Sequence, residues 1–134
     1  MNLINKKNLV FMTLFLGACA GSVKESLTPE DVVRDKAQAR FEAFLDKKRE
    51  GLAKALSFTT PSFRSVNTEK EYAARYGGRG QWESADIEKV SCEESVCEVS
   101  IKLVFKSHRI PMPVTTFLQE KWIEIDGEWW VYHK

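Results

Sequence analysis

The hydrophobic period of this chain changes once, at Gly77-Gly78-Arg79-Gly80, and that change limits the folds open to it. Before the glycines, apolar residues recur at helical spacing. After them, they alternate. The chain is long enough for one domain. The expected fold class is therefore α+β: a long N-terminal helix and two short helices packed on a four-stranded antiparallel meander.

The helical part opens at Leu27-Thr28-Pro29-Glu30-Asp31-Val32. Thr28 can cap, Pro29 suits the first helical position, and Glu30 and Asp31 complement the helix dipole. Leu27 and Val32 are spaced as a hydrophobic staple. Val33, Ala37, Phe41, Phe44, Leu45 and Leu52 form the apolar stripe. The spacing predicts one long helix to about Arg49, broken at Gly51. Leu52 to Phe58 is read as a short helix closed by Thr59-Thr60-Pro61-Ser62, because proline lacks a donor and its predecessor avoids helical geometry. Phe63 to Val66 is read as a short strand or extended link. Glu69 to Tyr76 is a third helix, capped by Asn67 or Thr68.

The alternating part gives strands from Trp82 to Cys92, Cys97 to Ser107, Thr115 to Ile125 and Trp129 to His133. In the second, Cys97, Val99, Ile101, Leu103 and Phe105 share one face. In the first, Ala85 and Ile87 are out of phase with Val90 and Cys92, which predicts a β-bulge near Glu88-Lys89. Asp126-Gly127 is a hairpin turn signal. Pro111 and Pro113 make His108 to Val114 a rim loop.

Ahead of all this lie Lys6 and Lys7, an apolar run from Leu9 to Leu16, then Gly17, Ala18 and Cys19. Basic, apolar, small is the order of an export signal. The run is far short of the ~20 residues that span a bilayer. Leu16-Gly17-Ala18-Cys19 resembles the lipobox of bacterial lipoprotein precursors. The resemblance implies removal of residues 1–18, lipidation of the Cys19 sulfur and acylation of the new amine. Ala20, where an Asp would retain the protein in the inner membrane, implies the outer membrane, facing the periplasm. Residues 19–27 become a short tether, and 28–134 a single domain. Without residues 1–18, eighteen basic side chains stand against nineteen acidic ones. That balance offers nothing to nucleic acid.

The lipobox leaves Cys92 and Cys97 as a pair. In an oxidising compartment they are expected to form a disulfide at a hairpin tip, the alternative being two reduced core thiols.

The succession of long helix, short helices and antiparallel meander from Thr28 to Lys134 resembles the nuclear transport factor 2-like superfamily, which includes ketosteroid-isomerase-like domains. The residues carrying the resemblance are Ala37, Phe41 and Leu45, Tyr72 to Tyr76, Trp82, Glu120-Lys121-Trp122 and Asp126 to Trp130. It implies a cone-like sheet able to hold a pocket. The fold hosts enzymes and bare scaffolds alike.

No catalytic set stands out. His108 and His133 fit no zinc spacing, there is no Gly-x-Ser-x-Gly elbow, and the glycine cluster is not a phosphate loop. No metal or cofactor is expected. An isomerase-like pocket would need a carboxylate base, Asp86 or Glu88, and an oxyanion donor, Tyr72 or Tyr76. With the bulge as placed, Asp86 faces solvent. The aromatic residues Tyr72, Tyr76, Trp82, Trp122, Trp129 and Trp130 are candidates for a pocket or a contact surface. Trp129 and Trp130 must point to opposite faces of a strand. The balance favours a non-enzymatic envelope domain, held to the membrane by its N-terminal lipid and binding an envelope protein or a small ligand. The competing reading is an isomerase- or dehydratase-like enzyme.

Overall fold

A computed structural model describes residues 25–134. Cys19, the signal peptide and most of the tether lie outside them. The fold is α+β, with four helices followed by one sheet of four antiparallel strands in the order β1-β2-β3-β4. The helices are α1 (Pro29–Leu45), α2 (Arg49–Leu56), α3 (Pro61–Val66) and α4 (Glu69–Arg75). A 3-10 turn over Gly77–Gln81 leads into β1 (Trp82–Glu93), β2 (Val96–Phe105), β3 (Val114–Ile125) and β4 (Glu128–Tyr132).

The helix starts follow their caps. Thr28 accepts from the Asp31 amide, and the Asp31 carboxylate accepts from the Thr28 amide. Thr68 and Glu71 repeat this capping box at α4. Phe63 to Val66 is helical, not a strand or link. Thr60 caps it by accepting from the Phe63 amide, and Pro61 occupies the first turn. This is the same Thr-Pro signature as at Thr28-Pro29, so the segment read as ending one helix starts the next.

The long helix also stops earlier than its stripe suggests. Arg79 donates to the carbonyls of Phe44 (3.1 Å) and Asp46 (3.0 Å), satisfying groups left open by the last turn of α1. Gly51 is not the break. It lies inside α2, at the closest approach of α2 to α1, where a Cβ would stand 2.4 Å from the Ala43 carbonyl oxygen and 2.6 Å from that of Asp46.

In β1, Ile87 pairs with Ile101 and Lys89 with Ser100, so Glu88 is the extra residue of the anticipated bulge. A second shift, at Glu83, was not legible in the alternation. The β1–β2 strands pair as far as Glu93 and Val96, shortening the tip to a two-residue turn with Glu94 at φ 53°. Cys92 and Cys97 are directly opposed, Cα atoms 4.0 Å apart, with their sulfurs joined. Asp126 and Gly127 both take positive φ (52° and 79°), the geometry that matches strand twist in a two-residue hairpin.

The core lies between α1 and the inner face of the sheet. Val33, Ala37, Phe41 and Phe44 meet Ala85, Val99, Ile101 and Leu103, all of them buried. Trp122 and Trp129 are buried. Trp130 turns outward, with the Lys36 ammonium 5.8 Å and the Arg64 guanidinium 4.9 Å from its ring centroid.

Gly51→Ala sets a helix-propensity gain of about 1 kcal/mol against displacement of the α1 backbone. The clash is expected to win, lowering stability by about 1–3 kcal/mol in equilibrium denaturation. Unchanged or raised stability would contradict the close approach.

Candidate functional site

Arg40 lies three residues after Ala37 and four before Phe44, so helical geometry turns it into the core with them. It is fully buried. One guanidinium nitrogen, Nη1, bonds the Glu120 carboxylate, whose own side chain is 11% exposed. The other, Nη2, donates to the Tyr72 hydroxyl (2.8 Å), the Tyr76 hydroxyl (3.2 Å) and Nε2 of His133 (3.4 Å). The remaining Glu120 oxygen accepts from the Trp122 indole (3.3 Å). The guanidinium carbon stands 4.7 Å from the Phe44 ring centroid, 5.5 Å from Phe41 and 5.6 Å from Tyr76. Nε of Arg40 is buried with no hydrogen-bond partner.

The charges follow from these contacts. Burial opposes the Arg40 charge, but Glu120 and the two tyrosines outweigh it and raise its pKa. Burial pushes the Tyr72 hydroxyl up, against the pull of Arg40. Burial, then Arg40, then Arg75 lower His133 to about 4, so its ring is neutral at ordinary pH. Arginine only donates, so Nε2 of that neutral ring is the acceptor.

This cluster joins α1, α4, β3 and the residue after β4. Two surface openings flank it. A groove of 530 Å³ between α3–α4 and the hairpin end of β3–β4 is walled by Phe63, Val66, Tyr72, Ile123, Ile125 and Tyr132, with Arg75 and His133 at its polar side. A smaller one of 240 Å³, bordered by Phe41, Tyr76, Leu118, Glu120 and His133, lies where β4 ends alongside β3.

Tyr72 and Tyr76 come together on Arg40. Trp82 stacks on Phe41 at 6.1 Å and meets the edge of Phe44 at 5.5 Å. Trp122 is the nearest tryptophan to the cluster. Trp129 is core and Trp130 is outside it. Asp86 and Glu88 are both exposed on β1, apart from either opening. Arg40, Glu120 and His133 were not singled out from sequence as a set. The available signal was a cation inside the apolar stripe of α1, and a carboxylate between Leu118 and Trp122 on the inward phase of β3. Among the described residues no group of His, Cys, Asp or Glu is placed to hold a metal ion.

No protein-family profile matches the chain, and no curated protein sequence matches it. Solved structures share its fold. A SEC-C motif containing protein from Psychrobacter arcticus superposes with TM-score 0.58 at 13% identity, over 81% of this chain and 63% of that one. One from Rhodopseudomonas palustris gives TM-score 0.52 at 13% identity, over 79% and 76%. A nuclear transport factor 2-like transpeptidase from Campylobacter jejuni gives TM-score 0.49 at 12% identity, over 81% and 100%. The chain thus spans less than two thirds of the Psychrobacter protein. At such identities the likeness to the two SEC-C proteins concerns the fold alone, and the third superposition is too loose to add to it.

Removing one partner of a buried ion pair strands the other. Glu120→Ala is expected to lower stability by about 3–5 kcal/mol. Arg40→Met with Glu120→Leu should lose less than the sum of the single changes, read by denaturant titration. Additive losses would contradict the pairing.

The His133 ring binds a proton near pH 6.5 when unfolded and only near 4 when folded. The unfolded state therefore takes up the proton first, and stability falls as pH drops from about 6.5 toward 4. His133→Gln should flatten that part of the stability profile. A variant profile identical to wild type would contradict it.

Proposed function

We propose that this protein is a lipid-anchored domain of the bacterial cell envelope, with a nuclear transport factor 2-like fold and a non-enzymatic binding or structural role carried by its surface. The anchor rests on the order of Lys6-Lys7, Leu9 to Leu16 and Leu16-Gly17-Ala18-Cys19. The Cys92–Cys97 bridge is consistent with an oxidising compartment outside the cytoplasm. The fold family rests on the succession of helices and meander. The periplasmic face of the outer membrane rests on Ala20.

The observation that carries the non-enzymatic reading is the occupied inner face. Arg40, Phe41, Phe44, Tyr72 and Trp122 are buried and pack together between the helices and the sheet. An isomerase or dehydratase needs a carboxyl in an apolar recess. Asp86 and Glu88 are exposed, and Glu120 is neutralised by Arg40. Binding then falls to the exterior. The 530 Å³ groove, apolar on its walls and cationic at Arg75, is of a size for a small ligand or a partner's side chains.

Cys19→Ser should abolish incorporation of labelled fatty acid and move the protein out of the membrane fraction. Retention of both label and membrane association would refute the anchor.

A further inference from the structure

The free edges of this sheet are not treated alike. The outer edge of β1 is bulged at Glu83 and Glu88 and also carries Asp86, Lys89 and Glu93. Bulges and charges block the docking of another strand. The outer edge of β4 is partly closed by the α2–α3 connection. There the Val131 amide donates to the Phe58 carbonyl (2.9 Å), and Thr59 bridges Val131. β3 is different. It pairs with β2 along Val114 to Ile123, but β4 covers only Lys121 to Ile125. From Val114 to Glu120, β3 has no strand on its second side among the described residues.

That stretch reads Val-Thr-Thr-Phe-Leu-Gln-Glu. It holds no proline, glycine or bulge, and β-formers dominate it. Its one charge, Glu120, turns inward onto Arg40. Its midpoint is Phe117, on the outer face and 63% exposed.

We propose that this edge pairs with the same edge of a second copy of the chain, antiparallel, across a two-fold axis at Phe117. Opposed residues in an antiparallel pair share a face, so the axis sets Phe117 against its counterpart, Thr115 against Gln119, and Val114 against Glu120. An aromatic pair then closes the centre of the seam. Val114 of each copy lies over the 240 Å³ opening beside Leu118 and Glu120 of the other.

Charge favours a second copy over an unrelated strand. The segment entering β3, Lys106 to Pro113, carries no acid and offers Arg109, Lys106 being paired with Glu83 (3.2 Å). The β3–β4 hairpin end carries no base and offers Glu124 and Asp126, Glu128 being paired with Lys36 (2.9 Å). Antiparallel pairing directs the cationic segment of each copy toward the acidic hairpin end of the other. Among the described residues, the large exposed apolar side chains include Phe117 in this stretch and Ile110 and Met112 in the segment that enters it. An isologous contact of this kind closes on itself and does not propagate.

The full-length chain, in the cell fraction where it resides, can be tested by mild oxidation of variants that each add one cysteine, compared with wild type. Phe117→Cys should give a disulfide-linked homodimer. Thr115→Cys alone should not, because its two copies stand about 13 Å apart, four residues along the strand. Thr115→Cys mixed with Gln119→Cys should cross-link again. Phe117→Lys should shift the native mass from dimer to monomer while the circular dichroism spectrum keeps its native shape. No homodimer from Phe117→Cys above wild type, equal cross-linking at Thr115 alone, or adducts only with a different protein would each overturn the proposal.

Discussion

A guanidinium sits where the core of this domain would otherwise be continuous hydrocarbon, and the surrounding structure is arranged to hold it. An unpaired buried charge is among the costliest defects a small protein can carry. Arg40 is tolerated because Glu120 neutralises it, two tyrosine hydroxyls and a neutral imidazole accept from it, and aromatic faces cover it. The acceptors come from three separate parts of the chain: α4 and its C-cap, β3, and the residue after β4. The pair therefore fixes register as well as charge. A one-residue slip of β3 would turn Glu120 to the outside and leave Arg40 with no counter-ion. The position of α4 is bound in the same way through Tyr72.

The side chains that make the core polar also pack its centre. Around them lie the groove at α3–α4, the smaller opening beside Glu120, the outward Trp130 between two cations, and the uncovered half of β3. With the lipid anchor proposed above, the chain enters the domain at the start of α1. Lys36 on this helix reaches Glu128 at the β3–β4 turn.

Much of the fold is legible in the sequence because it is written locally. The change of period at Gly77 to Gly80, the phase slip at Glu88, the Asp126-Gly127 turn and the Thr28 cap are all signals within a few residues. The misreadings are cases where distant residues decide. Gly51 looks like a helix breaker until α2 is seen against the α1 backbone. Thr60-Pro61 reads as a stop as readily as a start. Arg40 falls inside the apolar stripe of α1, but nothing near it announces a partner eighty positions away. The exposure of Asp86 followed from the bulge. The full Arg40 cluster could not be found without the tertiary structure.

Side chains pack around Arg40 and shield it from solvent. Nuclear magnetic resonance of the arginine side chains tests this shielding most directly. A shielded Arg40 should give a resolved Nε–H signal that exchanges with water far more slowly than those of the exposed arginines and is unmoved by small apolar molecules. Rapid exchange at Arg40, or a shift of its signal on adding such molecules, would mean an open, wetted cavity and would contradict that shielding.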